Sequence, residues 1–299
     1  MIGGLDGCVG FYHHQDWRIW QGWRLQAHVS GNRWRVVDPC WRQRAEGSNF
    51  SEVAAFFDEH ARPPAHPDWQ ALEAGGTAVV LLHGIGRTRL CMERLASRLL
   101  HGAHRAQHPL VVLNVGYPST RQPIEASAQG LAQLAEWLPP ATRLLLVGYS
   151  MGGLVARAWL TQRAAEATPR VARLITLGTP HEGASRADVY RDWWLYRLLF
   201  GPAGQQLTTT HAAGEPWPWP AGVPVTAIAG SRAPHGYHPW IPGDDDGTVE
   251  LASASPPEAD EAVLVRRTHT FLMSHPEVAA TILRYALTDE QPTSPDARA

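Results

Sequence analysis

An α/β architecture, with a mainly parallel sheet and helices on both faces, is predicted by three features of the sequence. From Thr77 onward, short apolar runs alternate with segments of helical period. Several runs are apolar at almost every position, as strands buried on both faces are. The runs end in glycine-bearing loops, and in such sheets ligands bind beyond the carboxyl ends of the strands.

The elements follow in order. Thr77 to Leu82 is a strand ending at His83, Gly84, Ile85 and Gly86. Leu90, Met92, Leu95, Leu99 and Leu100 suit a helix that stops near Gly102. Leu110 to Val115 is a second strand, and the next helix opens at Pro123 and stops before Pro139 and Pro140. Residues 143–160 read as strand, turn and helix, Leu144 to Val147 being the strand and Leu154, Val155, Ala158, Trp159 and Leu160 a buried helical stripe. Val171 to Leu177 is a further strand, followed by Gly178, Thr179, Pro180, His181, Glu182 and Gly183. Residues 223–229 and 262–265 are two more strands, and Pro276 to Leu287 is the last helix.

Residues 1–76 form a separate, tryptophan-rich zone. A β-hairpin is expected over residues 23–37, where Ser30, Gly31 and Asn32 supply the turn, followed by a short helix capped by Asn49 or Ser51 and a proline-rich linker over 62–68. Trp17, Trp20, Trp23, Trp34 and Trp41 either stack a ligand or fasten this appendage to its neighbour, and the second reading is preferred. Residues 77–287 are expected to be the catalytic domain and 288–299 a disordered tail. Residues 188–219, with Trp193, Trp194, Leu195, Tyr196, Leu198, Leu199 and Phe200, read either as a lid-like wall over the site or as a helix packed shut.

The 299 residues suffice for one large domain or two smaller ones, and 44% hydrophobic with 18% charged residues is the make-up of a soluble globule. Net charge is 26 minus 28, or −2, so nothing favours nucleic acid as a partner. Cys8, Cys40 and Cys91 are an odd set without zinc spacing, which suits a reducing compartment. The first residues lack the basic and apolar regions of a signal peptide, no run approaches a membrane span, and a cytoplasmic location is expected.

Gly148, Tyr149, Ser150, Met151 and Gly152 spell G-x-S-x-G between a strand and a helix, the context in which a strained turn presents a nucleophilic serine. A serine hydroxyl needs a base, and the base a carboxylate behind it; on this kind of fold they follow the serine in the order acid, then base. Asp246 is chosen as the acid, with Asp245 its rival among three adjacent carboxylates, and His269 as the base in preference to His275. The oxyanion donors are expected to be the amides of Met151 and Ile85. His83, Gly84 and Tyr149, with Trp193 and Trp194, are expected to line the substrate side. No metal or cofactor is expected: His101, His104 and His108 have partial helical spacing, but Gly102 and Pro109 break the helix; calcium at Asp244 or Asp245 is left open, although no regular loop of oxygen ligands surrounds them.

Taken together these residues resemble the α/β-hydrolase superfamily, and within it the bacterial lipase and esterase branch. His83 to Gly86 looks like the lipase oxyanion loop, Gly148 to Gly152 like the nucleophile elbow, and Leu177 to Gly183 like a stretch common beside lipase active sites. Asp246-Gly247-Thr248-Val249 resembles the segment that supplies the acid, and the separation of 269 minus 246, or 23 residues, is similar to the usual one. The resemblance covers roughly residues 77–287; residues 1–76 match no motif. It implies hydrolysis of a carboxylic ester without a cofactor; the apolar insertion suggests an apolar acyl group, and the missing leader favours an intracellular esterase or an enzyme in peripheral contact with a lipid or membrane surface. A thioesterase, amidase or acyltransferase would use the same groups, and a non-catalytic binding protein on this scaffold is the reading from another class.

Overall fold

Six strands pair in the order β10-β9-β8-β7-β5-β6, all parallel, in a computed structural model that describes residues 13–162, 170–214, 216–239, 241 and 243–288. The strands are β5 (Thr77–Leu82), β6 (Leu110–Val115), β7 (Arg143–Tyr149), β8 (Val171–Leu177), β9 (Val225–Gly230) and β10 (Glu261–Val265). β5 is buried at every position, which is why it reads as an unbroken apolar run. β10 alternates partly exposed and exposed residues, the signature of an edge strand with one face in solvent.

The chain runs outward from β5 to β6 and then crosses back to β7 on the other side of β5. A sheet whose order reverses in this way opens a crevice at the carboxyl ends of the strands flanking the reversal. Register sharpens the point: Leu82 pairs with Gly148 and Tyr149 with Leu177, so the loops beginning at His83, Ser150 and Gly178 leave the sheet side by side.

Helices α4 (Ile124–Trp137) and α5 (Met151–Gln162) cover one face, where Leu131, Leu154 and Trp159 meet Val80 and Leu146. Helices α3 (Glu93–Arg105) and α10 (Pro276–Leu287) cover the other, joining Leu95, Leu99, Val278 and Ile282 to Leu81 and Val147. Gly102 does not end the preceding helix as expected but lies inside α3, at the point where Leu283 of α10 crosses it. A Cβ there would come within 2.3 Å of Leu283 Cδ1, so a larger residue would require the Leu283 side chain to shift.

The expected hairpin is the centre of a four-stranded antiparallel sheet, β1 (His14–Trp20), β2 (Trp23–His28), β3 (Trp34–Val37) and β4 (Gln43–Gly47). The outer strands were not foreseen for opposite reasons. β1 carries buried Gln15 and Asp16 in place of apolar residues, and β4 is polar and largely exposed. Helix α1 (Phe50–Ala61) is capped by the Asn49 side chain, which accepts from the Ser51 amide. The expected linker is a 3₁₀ turn at Pro63–Ala65 followed by α2 (Pro67–Glu73), because proline at the start of a helix forfeits no bond.

The tryptophans divide by role. Trp20 of β1 is buried, with Trp69 of α2 edge-on at 5.1 Å and Trp137 of α4 at 6.5 Å, so one aromatic cluster joins the small sheet to the large one. Trp41 stays exposed, over the Arg89 guanidinium at 4.4 Å. The expected disorder after Asp289 and the thiol of Cys8 lie outside the described residues. No described helix is long and apolar enough to cross a membrane.

Trp20→Ala is expected to destabilise the protein by about 3–5 kcal/mol in guanidinium unfolding, with the near-ultraviolet and far-ultraviolet transitions still coincident. Separate transitions would show that the two sheets unfold independently.

Candidate functional site

Ser150 is the first residue after β7, and its φ of 53° lies in the left-handed region that residues with side chains avoid. Close packing and hydrogen bonds hold it there. Its amide donates to the Leu177 carbonyl (2.9 Å), while its own carbonyl accepts from the Gly153 amide (3.1 Å) and the Thr179 hydroxyl (2.9 Å). A Cβ at Gly148 would strike the Gly153 backbone, one at Gly152 the Leu82 carbonyl, and one at Gly153 the Thr179 side chain. The turn therefore needs a third glycine beyond the two of the motif.

His269 starts the 3₁₀ turn His269–Ser274 after β10, and its amide donates to the Asp246 carbonyl (2.7 Å). Its Nδ1 lies 2.6 Å from Asp246 Oδ2 and its Nε2 3.0 Å from Ser150 Oγ, giving a continuous chain of carboxylate, imidazole and hydroxyl. A proton on Nδ1 leaves Nε2 free to accept from the serine. Both side chains are buried, and the Tyr149 hydroxyl donates to the His269 carbonyl at 3.2 Å.

The three adjacent aspartates have separate duties. Asp246 Oδ1 accepts from the amides of Thr248 (3.0 Å) and Val249 (2.9 Å), leaving Oδ2 to the imidazole. Asp245, the rival, is buried and accepts from the amides of His238 and Gly247. Asp244 accepts from the Ser231 hydroxyl and the amides of Arg232 and Ala233; burial, the largest single effect, pushes its carboxyl up, and these bonds together outweigh it and hold the carboxyl below the usual range. Among the described residues no group of three or more His, Cys, Asp or Glu side chains is placed to hold a metal ion.

A cavity of about 570 Å³ opens above Ser150. Gly84, Ile85, Tyr149, Ser150 and His269 line its floor, and Trp193, Leu195, Tyr196, Leu199 and Phe200 its wall. The wall belongs to the insertion, which comprises α6 (Ser185–Tyr190), α7 (Trp194–Gln205, kinked at Gly201) and α8 (Thr209–Ala212). The two halves of the insertion differ: the first lines the cavity, whereas Trp217 in the second is buried with its indole N–H donated to Glu125 of α4 (3.1 Å). A larger cavity of about 720 Å³ lies beside Arg157, His181 and Trp219 and shares Pro180 with the first, but Ser150 does not reach it.

The residues expected on the substrate side part company. Gly84 and Tyr149 adjoin Ser150, and a Cβ on Gly84 would come within 3.1 Å of both. Trp193 lines the cavity, whereas its neighbour Trp194 points to solvent, 74% exposed. His83 lies beneath the loop, fully buried and stacked on Tyr117, and does not line the cavity. Met151 opens α5, where the first amides have no helical partner, and sits beside Ser150. Ile85 lines the same cavity.

Two further residues matter at the site; their stretch was expected beside it, but neither was given a role. A Cβ on Gly178 would lie 2.9 Å from Asp246 Oδ2 and 3.0 Å from His269 Nδ1, so that glycine makes room for the pair. Thr179 braces the serine turn. Their stretch was noticeable in the sequence, but neither role has a local signal.

These elements place the chain among solved structures. A lipase of Bacillus licheniformis in its mature form matches at a TM-score of 0.54 and 20% identity, over 75% of this chain and 95% of that one. This is the α/β-hydrolase fold. Two other structures of this fold match: phospholipase PlaB from Legionella pneumophila, in complex with thio-NAD, at 0.54 and 15% identity over 71% of this chain and 57% of that one, and a metagenomic carboxyl esterase at 0.50 and 15% identity over 71% and 74%. A family profile described as a PGAP1-like alpha/beta domain matches residues 125–199, a span of the hydrolase fold from α4 through the serine turn into α7. No curated protein sequence matches.

Three imidazoles, those of the buried His83 and His181 and of the half-buried His14, give the protein a pH dependence. Burial pushes His83 down to about 4, His14 to about 3 and His181 well below its usual value, with Arg157 adding to the shift at His181. In the folded state these rings stay neutral, while on unfolding they regain a pKa near about 6.5, so between those values the unfolded chain binds more protons. Their contribution is present above pH ~6.5 and is lost as pH falls toward 4. Guanidinium melts at pH 7.5 and 5.0 are expected to show lower stability at 5.0; equal midpoints would contradict this.

Proposed function

We propose that this protein is a serine hydrolase of carboxylic esters, with Ser150 as nucleophile, His269 as general base and Asp246 as the acid that orients it. The observation that carries the reading is the hydrogen-bonded chain from Asp246 Oδ2 through His269 to Ser150 Oγ, ending at an apolar cavity beside a glycine loop. A serine merely ending a strand would need neither a positive φ nor a buried imidazole at 3.0 Å.

In this mechanism His269 Nε2 removes the Ser150 proton as Oγ bonds to the ester carbonyl carbon. Charge then gathers on the carbonyl oxygen, where the amides of Met151 and Ile85 receive it. The imidazolium, stabilised by Asp246, returns its proton to the departing alkoxide as the C–O bond breaks. Water, deprotonated by His269, then attacks the acyl-Ser150 carbonyl; the bond from the acyl carbon to Oγ breaks, the imidazolium returns the proton to Oγ, and the carboxylic acid product leaves. No cofactor or metal enters this sequence.

The acyl part lies against Trp193, Leu199 and Phe200. Val189, Trp194 and Leu198, on the outside of the same insertion, are exposed apolar residues that suit contact with a lipid or membrane surface. Support from relatives is of the same kind, since the neighbours include a lipase, a phospholipase and a carboxyl esterase. We place the protein in the cytoplasm, where Cys40 and Cys91 would remain free thiols. The same groups serve a thioesterase, amidase or acyltransferase, because the attack does not depend on the leaving group.

Labelling with a fluorophosphonate probe is expected in the wild-type chain and absent in Ser150→Ala; no Ser150-dependent labelling would instead favour a non-catalytic binding protein. Asp246→Asn is expected to lower kcat by roughly 10⁴-fold without unfolding the chain, as read by circular dichroism. In a chain-length series of nitrophenyl esters, Leu199→Ala with Phe200→Ala is expected to shift kcat/KM toward longer acyl groups. An unchanged profile would remove the insertion from the acyl site.

A further inference from the structure

We propose that Asp16 is a positioning residue for the oxyanion loop, so that the small N-terminal sheet sets the geometry of the amide of Ile85. The inference rests on the serine hydrolase reading above. It starts from an aspartate that is fully buried although it lies in a strand of the appendage. A carboxylate in such a place is tolerated only when its oxygens are fully hydrogen-bonded. Asp16 Oδ1 accepts from Gln26 Nε2 at 2.7 Å, and Oδ2 accepts from the Arg24 guanidinium and from the Gly116 amide at 2.7 Å. The Asp16 amide donates to the Gly116 carbonyl (2.9 Å), and the same guanidinium donates to the Asn114 carbonyl (3.2 Å). β1 and β2 thus grip the chain where it leaves β6.

The next residue carries the constraint to the loop. Tyr117 stacks on His83, with ring centroids 4.0 Å apart and planes 9° from parallel. Its hydroxyl donates to the His83 carbonyl and its amide to His83 Nε2 (3.3 Å). With Nε2 accepting, the ring proton sits on Nδ1 and is donated to the Gly84 carbonyl at 2.9 Å. Burial keeps the ring neutral, which preserves this donor and acceptor pattern. Two residues beyond Tyr117, the Ser119 hydroxyl accepts from the Gly86 amide (3.2 Å). The peptide groups on both sides of Ile85 are therefore held by the segment that Asp16 grips. An appendage that merely covered α4 would need only its apolar residues for that task; an ion pair aimed at the end of β6 has a separate effect.

The test compares kcat, KM and melting temperature on a nitrophenyl ester for wild type, Asp16→Ala, Asp16→Asn, Tyr117→Phe and Gln15→Leu. Gln15 is the control: it is buried in the same strand but donates to the Ser127 carbonyl of α4 (2.8 Å). Asp16→Ala and Tyr117→Phe are each expected to lower kcat per folded molecule on the order of tenfold, less than the full loss of an oxyanion donor, with KM nearly unchanged. Combined, they should lose less than the product of the two, because they act along one path. Asp16→Asn, which keeps an acceptor for the Gly116 amide, should recover much of the rate, and Gln15→Leu should lower the melting temperature alone.

The proposal is overturned if Asp16→Ala retains wild-type kcat, or if Gln15→Leu loses kcat to the same degree. Should Asp16→Ala fail to fold, Tyr117→Phe decides by the same two criteria. Wild-type turnover persisting in Ser150→Ala overturns the hydrolase reading together with this one, whereas Ser150-dependent turnover untouched by Asp16→Ala and Tyr117→Phe overturns this one alone.

Discussion

The unfavourable backbone of Ser150 is the constraint on which the surrounding architecture turns. A residue with a side chain at φ 53° is costly by about 1–3 kcal/mol and persists only where its neighbours leave no alternative. Those neighbours come from three strands. β8 supplies the Leu177 carbonyl and, just beyond it, the Thr179 hydroxyl; β5 ends against Gly152; and β7 delivers the serine itself. Parallel pairing with Leu82 opposite Gly148 and Tyr149 opposite Leu177 is what brings the three ends level. A shift of one residue in either pairing would reverse the faces of the strand and remove the contacts that hold the turn.

Electrostatics around the turn follow a second rule: each buried charge is satisfied locally before it acts at a distance. The aspartate run illustrates it, since repulsion among three neighbouring carboxylates is relieved by giving each its own set of donors. Asp246 keeps one oxygen for backbone amides and one for His269, so its orientation does not depend on the imidazole alone. The remaining buried rings, His83 and His181, are held neutral and act as fixed dipoles between backbone groups and side chains.

What could be read from the chain depended on how local the cause is. β5 was legible to the residue because a strand buried on both faces produces a continuous apolar run, β6 and β8 because their runs are apolar at most positions, and α10 because His275 and Pro276 mark its start. Ser150 was legible because its strain demands glycines at fixed offsets. Residues whose reason lies across the fold were not: Gly102 faces the Leu283 side chain, and Gly178 is small because two side chains from distant segments meet there. β1 was hidden because two of its buried positions, Gln15 and Asp16, are polar, and polar burial has no local signature. His83 was noticed for its place in a loop motif, but the direction of its ring is set by Tyr117, 34 residues away.

The clasp between the two sheets also orders events during synthesis. Asp16 meets the Gly116 amide across 100 residues, and Trp20 waits for Trp69 and then Trp137. As the chain leaves the ribosome, the tryptophan-bearing strands emerge well before the surface that will cover them. Contacts of such sequence separation form late and slowly. The appendage thus spends longer than the large sheet with apolar rings exposed to water, and its polar outer strand β4, which lies at an edge of that sheet, discourages pairing with other nascent chains meanwhile.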